Sequence, residues 1–438
     1  MAAEILGEVV FALSQYYDAL VTFLAWTWWF WIFVVLLPVL HSTWMHWRHL
    51  IWDKKDKYTM LELSIPREIE KNPRGMEQVL KAIHTLRNAA GDLEEKYWDG
   101  EKTRTFTFEL TSVGGEIHFY VRVPQKYTAI VQAAFFSYYP DVEVAEVEDP
   151  VKDMPETPDD IKAQGNIMWG SEMLMRRAGP YPIKTYRDFE VPSEELEFDP
   201  ISTTIEILGK VRPGEFVGIQ FVAAPAPPDW VKNHTKELAD LKRWKKDSEG
   251  KMGEFSFAMM MPKSPGETDV LKAVENHLSK PAFDTVIRFI YISPKTMFYD
   301  SFPRRGIWSA FNQYGSLDLN TFVHNMQMWT RAKIWNWPYV FPKTRARLRA
   351  QRLYHYYRER ENPTETFMGR FLSSHPLNWN VHSKTIEFNT EEMATLFHPP
   401  MRVVLTAPHI KRVESRKAGP PAGLNIFADE KVLDEFQQ

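Results

Sequence analysis

A stretch without charged residues, from Ala19 to Leu40, constrains this chain more than any other feature of its sequence. Its aromatic residues include Trp26, Trp28, Trp29 and Trp31. At a rise of about 1.5 Å per residue, a helix of this length extends roughly 33 Å, which is enough to cross the hydrocarbon core of a bilayer. The sequence therefore predicts a single-pass membrane protein whose first partner is the lipid bilayer.

The charges on the two sides of this predicted span differ. Residues 1–18 contain acidic residues but no Lys or Arg, whereas a cleaved signal peptide, the alternative for an apolar stretch near the N-terminus, begins with a basic region. Basic residues follow the span instead, at Arg48, Lys54, Lys55 and Lys57. Because Lys and Arg accumulate on the cytoplasmic side of a membrane, the rest of the chain is predicted to lie in the cytoplasm. The predicted aromatic belt at that membrane surface consists of Trp44, Trp47 and Trp52.

Length and cysteine content limit the remaining possibilities. The chain has 438 residues and no cysteine, so disulfides, thiol nucleophiles and thiolate metal sites are excluded. Roughly 390 residues follow the span, which is enough for two or three domains. We predict a membrane segment at residues 1–52, domains at 53–150 and 161–300, and a basic, aromatic C-terminal region at 301–438.

Residues 53–150 are predicted to form a ferredoxin-like domain. The predicted elements, in order, are a strand at 58–65, a helix at 72–86, strands at 105–113 and 116–123, a helix at 125–138 and a strand at 141–147. Gly114 and Gly115 separate the two middle strands, which is a signal for a tight hairpin. The order βαββαβ is that of the split βαβ sandwich.

Residues 161–300 are predicted to form a second ferredoxin-like domain with an inserted helix, after an acidic linker with prolines. The predicted elements are a strand at 183–189, a helix at 201–211, a strand at 215–223, a helix at 229–246, a strand at 255–261, a helix at 268–278 and a strand at 285–292. The predicted fold class is therefore α+β, with tandem ferredoxin-like units between a transmembrane helix and an irregular basic region.

Charge is sorted along the chain although the net charge is only −4. Residues 141–199 carry 16 acidic and 6 basic residues, whereas residues 304–360 carry 11 basic and 2 acidic residues. This asymmetry indicates either an anionic partner or two parts of the protein that face each other.

A basic helix is predicted at residues 343–360, and DNA, membrane headgroups and a docked protein are its alternative partners. Its predicted binding residues are Lys343, Arg345, Arg347, Arg349 and Arg352. The tyrosines predicted to stack on bases are Tyr354, Tyr356 and Tyr357.

Common catalytic motifs are absent from the sequence. A P-loop, the HExxH and GxSxG motifs, and the kinase and dinucleotide-binding patterns are all absent from it. His375, His382, His398 and His409 are spread over an irregular segment, where a metal site is the minor alternative. We therefore predict that the chain is not an enzyme, and we assign it no catalytic, cofactor-binding or metal-binding residues and no cofactor.

Several segments together resemble a largely uncharacterised family of bacterial membrane-anchored proteins. They include TSVGGEIHFYVRVPQKY, PIKTYRDF, GEFVGIQFVAAP, SKPAFDTVIRFIYISP, AFNQYGSLDLNTF and FNTEEMATLFHPP. This family is similar to the N-terminal regions of type IV secretion and conjugative DNA-transfer proteins, and the resemblance covers most of residues 55–425. It implies a location in the bacterial inner membrane.

The resemblance also implies a function, that of a non-catalytic scaffold or ATPase-docking component of a type IV secretion-like or conjugative DNA-transfer machine. In many relatives, the segment that matches residues 391–424 leads into a P-loop ATPase domain, whereas this chain ends at Gln438. A separate ATPase is therefore the expected protein partner, and assembly into a homo-oligomer follows from the same resemblance. The alternative function is that of a membrane-tethered nucleic-acid binding module.

The last part of the chain contains two further candidate contact elements. The short helix predicted after Asn389 is either a docking element or part of the core. A basic tail follows it and is predicted to contact the ATPase or DNA. Its basic residues are Lys411, Arg412, Arg416 and Lys417.

Overall fold

The computed structural model describes residues 2–65, 72–190, 198–242, 264–334, 337–363, 366–372, 375–378 and 382–401. The chain divides into two compact units. The anchor unit comprises Met1–Asp56, Asn88–Thr103 and Pro363–His382, and the sheet unit comprises Lys57–Arg87, Arg104–Asn362 and the described residues from Ser383 onward. The anchor unit thus gathers three segments that are far apart in the sequence.

Eleven α-helices lie within the described ranges. They are α1 (Ala2–Lys55), α2 (Arg74–Thr85), α3 (Thr128–Tyr138), α4 (Pro158–Ala163), α5 (Ser202–Leu208), α6 (Thr235–Lys242), α7 (Pro265–Leu278), α8 (Trp308–Asn312), α9 (Pro342–Glu359), α10 (Phe367–Leu372) and α11 (Thr390–Leu396). Helix α2 lies within the helix predicted at residues 72–86, and its apolar side chains Met76, Val79, Leu80 and Ile83 are all buried.

One antiparallel sheet forms the centre of the sheet unit. Its strands are β1 (Tyr58–Ser64), β2 (Phe106–Val113), β3 (Glu116–Pro124), β4 (Glu143–Val147), β5 (Asn166–Met175), β6 (Phe216–Pro225), β7 (Ala282–Pro294), β8 (Phe322–His324) and β9 (Ile386–Asn389). The strand order is β4-β1-β3-β2-β6-β7-β5-β8, and β9 pairs with β7. The molecule is therefore a mixed α+β protein with a long apolar N-terminal helix, as predicted.

The two separate ferredoxin-like domains are not confirmed. Strand β2 pairs with β6 from Phe106 opposite Ala223 to Val113 opposite Phe216, so the strands of both predicted domains belong to one sheet.

One strand prediction was wrong, and three strands, β5, β8 and β9, were not predicted. Residues 183–189 form a 3-10 turn at Tyr186–Asp188 instead of a strand. The first strand of the second half is β5, which was not predicted, and the strand predicted at 255–261 lies outside the described residues.

Helices cover both faces of the sheet. Successive strand residues point to opposite faces, and in β7 Phe289 and Tyr291 join the main hydrophobic cluster with α2, α3 and α11. Ile290 and Ile292, on the other face, pack in a smaller cluster with Tyr354 and Tyr357 of α9.

The contact between α9 and the sheet requires glycine at two strand positions. A Cβ atom on Gly170 of β5 would lie 2.7 Å from Cδ2 of Leu353, and one on Gly218 of β6 would overlap the hydroxyl of Tyr357. The helix predicted to bind a partner is therefore packed closely against the core.

Helix α11 is part of the core as well. All of its residues are buried, and Asn389 and Glu392 form a capping box at its N-terminus. Of the two alternatives for this element, the structure supports the packing role.

Candidate functional site

Helix α1 presents an apolar surface to its surroundings through the whole predicted span. Between Ala19 and Leu40 its side chains are exposed, apart from the partly buried Thr27 and Val39. The span residues Trp26, Trp28, Trp29 and Trp31 all lie in this exposed segment. Among the described residues, this helix is the one long and apolar enough to cross a membrane.

The hydroxyl groups of both threonines within the span bond to the helix itself. The hydroxyl of Thr22 donates to the carbonyl of Asp18 over 2.8 Å, and that of Thr27 donates to the carbonyl of Phe23 over 2.7 Å. The indole Nε1 of Trp31 donates to the Thr27 hydroxyl over 3.0 Å. Such internal bonds are required in hydrocarbon, where an unsatisfied polar group costs several kcal/mol.

Residues 88–103 pack against the C-terminal part of α1. The indole Nε1 of Trp44 donates to the carbonyl of Tyr97 over 2.8 Å, and the rings of Trp44 and Trp98 are 5.8 Å apart. Gly100 has a φ of 68°, and a Cβ atom there would lie 2.6 Å from Cβ of Arg48. The segment therefore approaches the helix backbone as closely as only glycine permits.

Three tryptophans surround the guanidinium of Arg48. Its Cζ lies 5.9 Å from the ring centre of Trp44, 5.7 Å from that of Trp47 and 5.8 Å from that of Trp98. These distances allow cation–π attraction to each ring. The buried Nε of Arg48 has no hydrogen-bond partner in the described part of the chain.

Helix α10 packs against the same part of α1. The backbone N–H of Met368 donates to the hydroxyl of Ser42 over 2.8 Å. Gly369 is buried, and a Cβ atom there would lie 2.7 Å from Nδ1 of His46. A segment more than 300 residues after the span thus returns to it.

An open apolar groove of about 520 Å³ lies beside these contacts in the anchor unit. Its lining residues are Trp44, Leu93, Glu94, Tyr97 and Trp98. Trp44 was predicted to be interfacial, whereas no role was predicted for Leu93, Trp98, Phe367 and Phe371. These residues could have been identified as large apolar side chains within the otherwise polar segments 88–103 and 363–372.

The buried carboxylates of the sheet unit form ion pairs. Glu77 of α2 accepts a hydrogen bond from Tyr186 over 2.8 Å and lies 3.6 Å from Nζ of Lys280, which also contacts Glu391 of α11. Burial raises the pKa of Glu77, but the hydrogen bonds from Lys81 and Tyr186 and the charge of Lys280 outweigh burial and lower it. Glu77 therefore stays ionised and links α2 to α11.

No group of three or more His, Asp or Glu side chains suited to a metal ion is present in the described ranges.

The predicted binding residues of α9 do not form one exposed surface. Arg345 and Arg349 are buried, and Arg345 donates to the carbonyl of Trp337 over 2.6 Å. Arg352 donates to the hydroxyl of Tyr356, while Lys343 and Arg347 are exposed. The tyrosines proposed for base stacking are buried, and Lys411, Arg412, Arg416 and Lys417 lie outside the described residues.

The acidic and basic segments of the chain pair with each other. Arg347 donates to Asp159 over 2.7 Å, and Arg360 donates to Asp149 over 2.8 Å and to Glu109 over 2.6 Å. Burial raises the pKa of Asp149, but the hydrogen bonds and charge of Arg360 outweigh burial and lower it. Of the two explanations for the charge asymmetry, the structure thus supports contact between parts of one chain.

Replacing Arg349 with methionine is expected to lower the free energy of unfolding by about 2–3 kcal/mol, because two carbonyls lose a charged donor. Arg349 donates to the carbonyl of Met326 over 3.2 Å and to that of Arg331 over 3.1 Å. Burial and the neighbouring Arg345 lower the pKa of Arg349 to about 10. Denaturant unfolding of the detergent-solubilised protein measures this effect.

The matched control is Arg347→Met, which removes an exposed arginine from the same helix. Its unfolding free energy should change far less, since exposed ion pairs contribute little. Equal effects of the two substitutions would contradict the structural role of Arg349.

Comparison with protein families places most of the described sheet in a known family. The model described as Domain of unknown function (DUF8128) matches residues 53–335, which include β1 to β8. Comparison with curated proteins finds no match.

Proposed function

We propose that this chain, which belongs to the Domain of unknown function (DUF8128) family, is a non-catalytic scaffold anchored in a membrane by α1. One observation carries this proposal: the uncharged surface of α1 from Ala19 to Leu40 is exposed and long enough to cross a bilayer. Lys54, Lys55 and Lys57 follow the span, which supports a single-pass orientation with the body in the cytoplasm.

The paired carboxylates support a structural role for the body. Glu77, Glu109 and Glu172 are buried, and each accepts a hydrogen bond or ion pair from a basic side chain. Such pairs link neighbouring elements of the fold. A carboxylate that is paired in this way is not available to a substrate as a general acid or base.

The strand order supports the finer assignment of two ferredoxin-like halves fused along one sheet. In the first half the order is β4-β1-β3-β2, with α2 after β1 and α3 after β3. In the second half the order is β8-β5-β7-β6, with α5 after β5 and α8 after β7. Both halves thus follow the same pattern, and residues 226–281 are an insertion between β6 and β7 in the second half.

The resemblance of the sequence motifs to a bacterial membrane-anchored family suggests the assembly in which this scaffold works. We assign the chain to a type IV secretion-like or conjugative DNA-transfer assembly in the bacterial inner membrane, with a separate P-loop ATPase as partner. The nucleic-acid alternative has weaker support, because Arg345, Arg349 and the tyrosines of α9 are buried.

Affinity isolation of the tagged, full-length protein from its native cell tests this function. We expect a P-loop ATPase to co-purify in detergent, with ATP hydrolysis in the eluate but not in the chain purified alone. A matched isolation after a high-salt wash that removes the ATPase serves as the control. Robust hydrolysis by the isolated chain would refute the scaffold role, and recovery of nucleic acid without any ATPase would favour the alternative.

A further inference from the structure

We propose that an apolar collar beside α1 inserts into the membrane interface and that Arg48 binds the phosphate of a phospholipid there. The collar consists of Leu93, Tyr97, Trp98, Phe367, Phe371 and Leu372. This inference rests on the proposed membrane span but goes beyond it, because it adds two segments from distant parts of the sequence to the membrane contact.

The exposure of the collar requires an apolar partner. The exposed fraction is 73% for Leu93, 62% for Trp98, 73% for Phe367, 61% for Phe371 and 56% for Leu372. These residues lie in two short segments that both pack on α1, and large exposed apolar patches mark interaction sites. Tryptophan, phenylalanine and leucine are also the residues with which interfacial segments enter a bilayer.

The position of the collar along α1 identifies the partner as the bilayer. The contacts to residues 97 and 368 come from Trp44 and Ser42, two to four residues after Leu40. At about 1.5 Å per residue, these contacts lie roughly 3–6 Å beyond the end of the span. This is the depth of the headgroup region, which adds about 5–8 Å on each side of the hydrocarbon core. The two segments that carry the collar thus contact α1 directly after the apolar surface of the span ends.

Arg48 is placed to bind a phosphate at the same depth. Helical side chains tilt toward the helix N-terminus, so the guanidinium extends from its backbone back toward the span and lies among Trp44, Trp47 and Trp98. In the described part of the chain, the guanidinium of Arg48 contacts these three rings and forms no ion pair with a carboxylate. A phospholipid phosphate supplies the missing anion, since guanidinium groups bind phosphate through paired hydrogen bonds.

The groove beside Trp44 accommodates the apolar part of the same lipid. Leu93, Tyr97 and Trp98 provide apolar walls, whereas Glu94 at the same groove disfavours an anion. The groove therefore suits an acyl chain, and Arg48 suits the headgroup.

Spin labels on single-cysteine variants of the full-length protein test the collar, because the natural chain contains no cysteine. The variants are Leu93→Cys and Phe371→Cys in the collar, Val35→Cys in the span and Leu317→Cys at a position of the sheet unit that is 85% exposed. After reconstitution into vesicles of phosphatidylethanolamine and phosphatidylglycerol, accessibility to oxygen and to a water-soluble nickel complex reports the depth of each label.

We expect the label on Val35→Cys inside the hydrocarbon core, those on Leu93→Cys and Phe371→Cys at the interface, and that on Leu317→Cys in water. A deep label on Val35→Cys combined with aqueous labels on both collar variants would overturn the collar but leave the span intact. An aqueous label on Val35→Cys would overturn the span itself.

Phosphate analysis of the purified protein tests Arg48. We expect about one tightly held phospholipid per chain, lost in Arg48→Gln but retained in the matched variant Lys54→Gln, which removes an exposed cation from the same helix. Equal phospholipid retention in both variants would overturn the phosphate site.

Discussion

Arginine substitution of both Phe30 and Val34 is expected to release the full-length protein from membranes. Both side chains are exposed near the centre of the span, where neither arginine can reach the headgroups easily. Each arginine costs about 2.5–3.5 kcal/mol at the centre of a transmembrane helix, so the pair costs about 5–7 kcal/mol. The measurement is the fraction of protein that remains in the membrane pellet after a carbonate wash, which removes peripheral proteins.

The matched control replaces the same residues with leucine and isoleucine, as Phe30→Leu and Val34→Ile. This variant keeps the span apolar and should remain in the pellet. Retention of the double-arginine variant at the level of this control would refute a transmembrane α1. A variant that is removed by carbonate but not by salt alone would indicate that the collar still holds the chain at the membrane surface.

Local patterns were sufficient to predict most elements of the first half of the sheet unit. The strands β1 to β4 and the helices α2 and α3 all lie within about three residues of their predicted bounds. Gly114 and Gly115 have φ values of 61° and 97°, which explains why two glycines mark this hairpin. In each of these cases the signal lies within the element itself.

The segment at residues 183–189 shows why the same approach failed in the second half. Its backbone N–H groups bond to side chains of α11 instead of to another strand: Ile183 donates to Glu392 over 3.0 Å, and Tyr186 donates to Thr395 over 2.9 Å. Thr185 also donates to Asp188 over 2.7 Å and closes a local turn. A contact with residues that follow about 200 positions later has no local signature in the sequence.

Strand β5 was missed because its sequence does not show the apolar pattern of a buried strand. Gly170, Ser171 and Glu172 interrupt its apolar pattern, yet all three are buried within the sheet unit. Glu172 is tolerated there because Arg288 of β7 lies directly opposite it, and Gly170 is required by Leu353. Only the sheet pairing explains why a charged residue occupies this strand.

Only the part of the candidate site that is contiguous in the sequence could be predicted. The span and its neighbouring tryptophans are contiguous in the sequence, and their composition alone identified them. The collar joins residues 88–103 with residues 363–372, which meet only in the folded anchor unit. Likewise, the arginines of α9 form a regular pattern, but whether they face solvent depends on the sheet against which the helix packs.

Arg288→Met is expected to lower the free energy of unfolding by about 3–5 kcal/mol, because it leaves a buried carboxylate without its counter-ion. Arg288 and Glu172 are fully buried, and Nη2 of Arg288 lies 3.0 Å from Oε1 of Glu172. Arg288 also donates to the carbonyls of Tyr356 and Glu361, so it connects the sheet to the end of α9. Denaturant unfolding of the detergent-solubilised protein, followed by tryptophan fluorescence, measures the loss.

The double variant Arg288→Met/Glu172→Gln separates the ion pair from the other contacts of Arg288. Without the buried charge, it should recover part of the stability that Arg288→Met loses. Ser383 donates to Glu172 over 2.6 Å and can still donate to the glutamine carbonyl, which favours this recovery. The surface control Lys232→Met removes one partner of an exposed pair with Asp229 and should change stability little. If Arg288→Met were no more destabilising than Lys232→Met, the buried pair would not hold α9 on the sheet, and the inward orientation of the basic helix would need another explanation.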